Sequence, residues 1–187
     1  MKYRTVSLRA AIAFLIALAA VSASAAGTSG KTLSTVPAEH ASPPALALKD
    51  LSGAKQTLAD FSGKVLLVNF WATWCPPCVK ELPSMQAVRS RLADTPFEVI
   101  AVNVGEGASQ VKTFLDRLDT VLDYPILLDE NMVVTKKWKV RALPTTYIID
   151  AQGQARYIAM GERDFGAPEV VSIIRALVQA EPSASDG

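Results

Sequence analysis

Cysteine and histidine are the scarcest reactive residues in this 187-residue chain, which has two Cys and one His. A protein zinc site takes about four such ligands, and a histidine-activated nucleophile needs its base close by, so both arrangements are hard to assemble here. Net charge is scarce too. Nineteen Lys and Arg face eighteen Asp and Glu, a formal charge of +1, so the basic footprint of a nucleic-acid binder is missing. Internal repeats are also missing, and two cysteines cannot make a disulfide framework. None is needed, because one domain of this length buries roughly two-thirds of its unfolded surface. What is present is apolar: half of the residues, too many for disorder. Chemistry must therefore come from the cysteines or from carboxylates.

The N-terminus carries Lys2, Arg4 and Arg9, then an apolar run from Ala10 to Val21 and small residues around Ala23 to Ala25. A basic start, a short apolar stretch and an Ala-Ser-Ala site identify residues 1–25 as a secretory signal peptide cut near Ala25. An uncleaved membrane anchor is the alternative, since nothing from Ala10 to Gly30 is charged. The apolar run is 12 residues, whereas a span takes about 20. On either reading the rest of the chain is exported, to a periplasmic location where disulfides persist.

Residues 26–44 are rich in Gly, Ser, Thr, Ala and Pro and end in Ser42-Pro43-Pro44, which predicts a flexible linker. His40, lying in it, reads as a solvated linker residue rather than a base. The folded domain is expected over 45–180, with a disordered tail at 181–187. Ala45–Leu48 and Lys55–Leu58 read as a hairpin, and Val65–Phe70 and Phe97–Val104 as buried strands. Helices are expected over 75–94, kinked or broken at Pro83, over 109–118 with Ser109 as cap, over 130–138, and over 168–179. A short strand at 126–128 and a hairpin of Thr145–Asp150 with Ala155–Met160 complete an α/β pattern. The alternation implies a mainly parallel sheet with an antiparallel edge.

Trp74-Cys75-Pro76-Pro77-Cys78 directly follows a buried strand and opens a helix. The three-residue offset brings both sulfurs to one side of the first turn. A purely stabilising disulfide is a poor reading, because closing a ring of about four residues gains only about 2 kcal/mol while a bridge across the domain gains about 4 to 5. A metal site would need further ligands, and only carboxylates or backbone are near. The redox reading is preferred: Cys75, at the helix N-cap and partly exposed, attacks a substrate disulfide, and Cys78 resolves it.

Pro77 removes one of the amides that would stabilise the Cys75 thiolate. Glu81, three residues beyond Cys78 on the same helical face, opposes the thiolate with its charge and is a candidate proton acceptor for Cys78. Both effects predict a reducing couple, nearer about −270 mV than about −120 mV. Pro144 opens a strand in Leu143-Pro144-Thr145. Base rates for X–Pro bonds, about 5% cis, argue against a cis peptide there.

In these motifs the chain resembles the thioredoxin superfamily, more narrowly its exported TlpA/ResA-like group. The resemblance spans about Ala45 to Val178. It rests on Asp60-Phe61-Ser62-Gly63-Lys64, the Asn69 to Cys78 stretch, Lys80-Glu81-Leu82-Pro83, Val102-Asn103-Val104-Gly105-Glu106 and Leu143-Pro144-Thr145-Thr146. It implies a thioredoxin-like α/β fold: a central mixed sheet flanked by helices, with an N-terminal hairpin and an inserted strand-helix segment. It implies that Pro144 is cis and packs against a Cys75–Cys78 disulfide, and that Leu143 and Thr145 pair with an extended substrate, with Trp74 and Pro76 also contacting it. Ordinary thioredoxins carry a buried acid where this chain has Asn69, which leaves Glu81 as the proton partner.

The resemblance further implies a protein-disulfide reductase. A monomer without cofactor or metal is expected, with electrons supplied by a membrane thiol donor, because a reducing couple could not otherwise stay reduced beside a periplasmic oxidant. Its clients would be disulfide-containing proteins such as apocytochrome c or copper-site assembly proteins. The Gly-Val-x-Gly-x-Pro-Glu pattern of the cytochrome-maturation branch is not matched by Lys139 to Thr145. Two other functions remain open. A thiol peroxidase of the same fold would place Thr where this chain has Ala72, and a copper carrier would bind through Cys75 and Cys78 without a Met or His beside the motif.

Overall fold

Val65–Trp71 (β4) is buried at all seven positions, the signature of a strand covered on both faces. The computed structural model describes residues 33–180, and β4 lies near the middle of its eight-stranded sheet. The expected leader (1–25), the first part of the expected linker and the tail at 181–187 lie outside the described residues.

In chain order the elements are β1 (Ser34–Thr35), β2 (Ala47–Asp50), β3 (Lys55–Thr57), β4, α1 (Pro76–Arg91), β5 (Phe97–Val104), α2 (Ala108–Leu115), β6 (Ile126–Asp129), α3 (Val133–Lys137), β7 (Thr145–Ile149), β8 (Ala155–Met160) and α4 (Pro168–Gln179). The sheet order is β1-β8-β7-β4-β5-β6-β2-β3. Only β4–β5 and β5–β6 run parallel, and the other five pairings are antiparallel. The mainly parallel sheet expected from alternation is thus corrected to a mixed one, because hairpins close both edges.

The two-residue period of the strands sorts the core. Val65, Leu67 and Trp71 of β4 join Leu82, Met85 and Val88 of α1 and Ile174 of α4 in one layer. Leu66, Val68 and Phe70 join Phe61, Val134 and Trp138 in the other. Asn69 shares the parity of the first set, so it points at α1. Opposite it in register stands Thr146 of β7.

Helix α1 runs through Pro83 without ending. A helical proline costs about 3 kcal/mol, and burying Leu82, Met85 and Val88 returns about 1.5 to 3 kcal/mol each, so packing wins. Helix α2 starts at Ala108, capped by Gly107 rather than Ser109, because Val111 already donates to the Gly107 carbonyl at 3.2 Å. Helix α3 begins at Val133, not Glu130. The buried Asp129 carboxylate accepts from the Val134 and Thr135 amides at 3.2 and 2.7 Å and sets the first turn there.

The expected linker is also corrected over its described part. Ser34 and Thr35 pair with Ile158 and Tyr157 as an edge strand, Ala38–His40 forms a 3-10 turn, and the buried Ala41 accepts from the Ala155 amide at 2.6 Å. His40 is exposed on that turn. Two-residue strands leave no periodicity to read.

Candidate active site

Cys75 is the N-cap of α1, and its Sγ is bonded to that of Cys78 across a Cα–Cα separation of 5.3 Å. The local sequence enforces this. The Cys75 amide donates to the Ala72 carbonyl at 3.2 Å, closing a turn, and the Cys75 carbonyl receives the Val79 amide at 3.1 Å, starting the helix. Pro76 and Pro77 lack N–H groups, so of the amides in the first turn before Val79 only that of Cys78 can face a Cys75 thiolate. The expectation that Cys75 is partly exposed is corrected: in the disulfide form it is 5% exposed, and Cys78 is fully buried.

Glu81 is 1% exposed, one helical turn beyond Cys78 and in the layer facing β4. Two donors hold its carboxylate. Asn69 Nδ2–H donates to Oε1 at 2.7 Å, and the Arg163 amide donates to Oε2 at 3.0 Å. Asn69 also donates to Thr146 Oγ1 at 2.9 Å. Burial is the dominant influence on Glu81 and raises its pKa from 4.5 to about 7. The Arg163 amide and Asn69 pull the other way, and the Glu162 charge adds a smaller upward push. A carboxyl group poised there can take and return a proton near neutrality. Tyr124 packs nearby and donates its hydroxyl to the Leu82 carbonyl at 3.4 Å; burial first, then the Glu81 charge, raises its phenol.

The Leu143–Pro144 peptide is cis, as the resemblance implied and base rates did not. Pro144 is buried, and its carbonyl accepts the Gly161 amide at 2.8 Å. Beside the disulfide lies an open groove of about 380 Å³ lined by Trp74, Cys75, Pro76, Val140, Arg141 and Leu143 among others. Trp74 stands at its rim, 65% exposed. Leu143 is half-buried in the groove wall. Thr145 is placed differently from the substrate-pairing role the resemblance implied. It lies inside the sheet between Phe70 of β4 and Met160 of β8, with its hydroxyl donating to the Ala142 carbonyl at 2.8 Å, and so presents no strand edge.

Two supports escaped the residue reading. Buried Glu106 accepts from the Thr73 amide and hydroxyl at 2.7 and 2.5 Å, from Asn103 Nδ2 at 2.8 Å and from Gln110 Nε2 at 2.5 Å, pinning the loop before Cys75 to β5 and α2. The second is a strap over 161–166. Ser84 Oγ accepts the Phe165 amide at 3.0 Å and donates to the Glu81 carbonyl at 2.7 Å, and this strap carries the Arg163 amide onto Glu81. The Val102 to Glu106 motif signalled the first support. A backbone donor leaves no residue signature, so nothing signalled the second.

The AhpC/TSA family model matches residues 40–158. The chain is 37% identical over 130 residues to the thiol-disulfide oxidoreductase ResA of Geobacillus kaustophilus, covering 70% of this chain and 74% of that protein. It is 41% identical over 121 residues to the thioredoxin-like protein YneN of Bacillus subtilis, covering 63% and 69%. A thiol:disulfide interchange protein of the thioredoxin family from Chlorobium tepidum superposes with a TM-score of 0.62 at 26% identity, over 74% of this chain and 99% of that one.

Proposed function

The chain belongs to the AhpC/TSA family and to the ResA-like thiol-disulfide oxidoreductases, and from that premise we propose that it works outside the cytoplasm as a dithiol reductase of client proteins. The reduced protein attacks a client disulfide through the Cys75 thiolate, forming a mixed disulfide and releasing one client thiolate. Glu81 takes the Cys78 proton, Cys78 attacks Cys75 Sγ, and the second client thiolate leaves. Two electrons and two protons pass from the protein dithiol to the client disulfide. A membrane dithiol donor restores the pair.

The observation that carries this reading is the buried Glu81 carboxyl group one turn from Cys78, gripped by Asn69 and the Arg163 amide and titrating at about 7. The reducing direction is supported by the missing amides of Pro76 and Pro77 and by that carboxylate, both of which disfavour the thiolate and so the reduced form's stability. Clients of the apocytochrome c or copper-site assembly kind fit the group. Ala72, buried and without a hydroxyl, weakens the peroxidase alternative.

The test is Cys78→Ala in the exported compartment, which stalls exchange at the mixed disulfide. A disulfide-linked haem-motif apoprotein or copper-site subunit on Cys75 is the expected capture. Cys75 recovered without any protein adduct contradicts the proposal.

A further inference from the structure

The wall of the disulfide groove continues into a ridge of positive charge. Lys136, Lys137, Lys139 and Arg141 place four cations within six positions, and all four are exposed. Among the described residues none of them makes an ion pair; the pairs present involve Lys80, Arg89 and Arg156. Arg141 lines the groove that holds Cys75 and Trp74. Lys137 and Lys139 line a neighbouring groove of about 330 Å³ floored by Trp138 and Tyr147. The ridge therefore begins at the disulfide and leads away from it along the surface.

This concentration is at odds with the rest of the domain. Residues 33–180 carry 15 Lys and Arg against 16 Asp and Glu, and without the ridge 11 cations face 16 acids. Packing does not explain the clustering, because within the ridge Trp138 is buried and Val140 half-buried while the four cations are exposed. Single exposed ion pairs are weak, but several unpaired like charges beside a reactive atom act together on encounter rate and orientation.

We propose that the 136–141 ridge selects clients whose reducible cysteine is flanked by acidic residues. The client segment lies across the groove with its disulfide on Cys75, and its carboxylates meet Arg141 and the lysines. The proposal rests on the reductase reading and names its substrate class. Because the contribution is electrostatic and at the surface, it governs association and weakens with salt.

The experiment uses the reduced full-length protein, freed of its dithiol reductant, in single turnover with three cyclic disulfide peptides that differ only in flanking Glu, Gln or Lys. The Glu peptide is expected to react on the order of tenfold faster than the Lys peptide at low salt, and the ratio to fall towards one in high salt. K136E/K137E/K139E/R141E inverts the order, whereas K49E/K55E, on the β2–β3 hairpin and outside the groove lining, keeps it. Equal rates for the three peptides, or a loss in the fourfold variant shared equally among them, overturn the inference but leave the reductase reading intact. Reduction of no peptide contradicts the reductase reading itself and the inference with it. Binding to anionic phospholipid vesicles that the fourfold variant abolishes, alongside equal peptide rates, assigns the ridge to a membrane surface and also overturns it.

Discussion

Asn69 and Glu81 meet inside the protein, an amide Nδ2 2.7 Å from a carboxylate Oε1. The strand's parity and the helix's turn bring them together. Asn69 is the one polar side chain on the α1-facing side of β4, and Glu81 follows Cys78 by three residues. An amide in that place donates a hydrogen bond to the charged form without competing for the proton.

The stability of the oxidised protein should carry Glu81's signature. Its folded pKa is about 7 against 4.5, so the native state binds the proton more tightly. The stabilisation is complete below pH 4.5 and is lost as pH rises through 7, a swing of about 3 kcal/mol. Denaturant unfolding at pH 5 and pH 8 should show that Glu81→Gln flattens this part of the wild-type loss. Equal slopes in both proteins contradict the assignment.

Asn69 and Ser84 should both tune that titration. Asn69→Ala removes the donor to Oε1, and Ser84→Ala frees the strap that brings the Arg163 amide to Oε2. Each donor favours the charged form, so each substitution should move the Glu81 midpoint above about 7, read by carboxyl-carbon NMR. The stability cost should be about 1 kcal/mol for Ser84→Ala and up to about 3 kcal/mol for Asn69→Ala.

Glu106 should matter through acceptance alone. Its two oxygens serve four donors, so Glu106→Gln turns one acceptor into a donor facing donors. A loss of about 1 to 3 kcal/mol by chemical denaturation is expected, with faster proteolysis in the Ala72 to Trp74 loop.

The Cys75–Cys78 couple should be reducing. Equilibration against glutathione or dithiothreitol should place it nearer about −270 mV than about −120 mV, and a value above about −150 mV contradicts the account of the thiolate.

Much of this was legible in advance because burial leaves a pattern. Strands β4 and β5 show as apolar runs, α4 as a proline start with an apolar side, and the cysteine offset as one face of a turn. The spacing of Glu81 placed it on that face but could not reveal its burial or its two donors. The Arg163 amide belongs to the backbone, and any residue supplies one. Asp129 hid the start of α3 because a cap from before the helix looks like part of a longer one. Strand β1 is two residues long, below any readable period. Pro144 was legible as cis only through resemblance, since its local sequence looks like an ordinary strand start.

The most direct test is the pH dependence of single-turnover reduction of a disulfide peptide by the wild type and by Glu81→Gln. If Glu81 takes the Cys78 proton, the wild-type rate rises through a midpoint near 7, and the variant lacks that step and is slower by about 10² or more. Superimposable profiles, equal in midpoint and in plateau, would contradict the central claim.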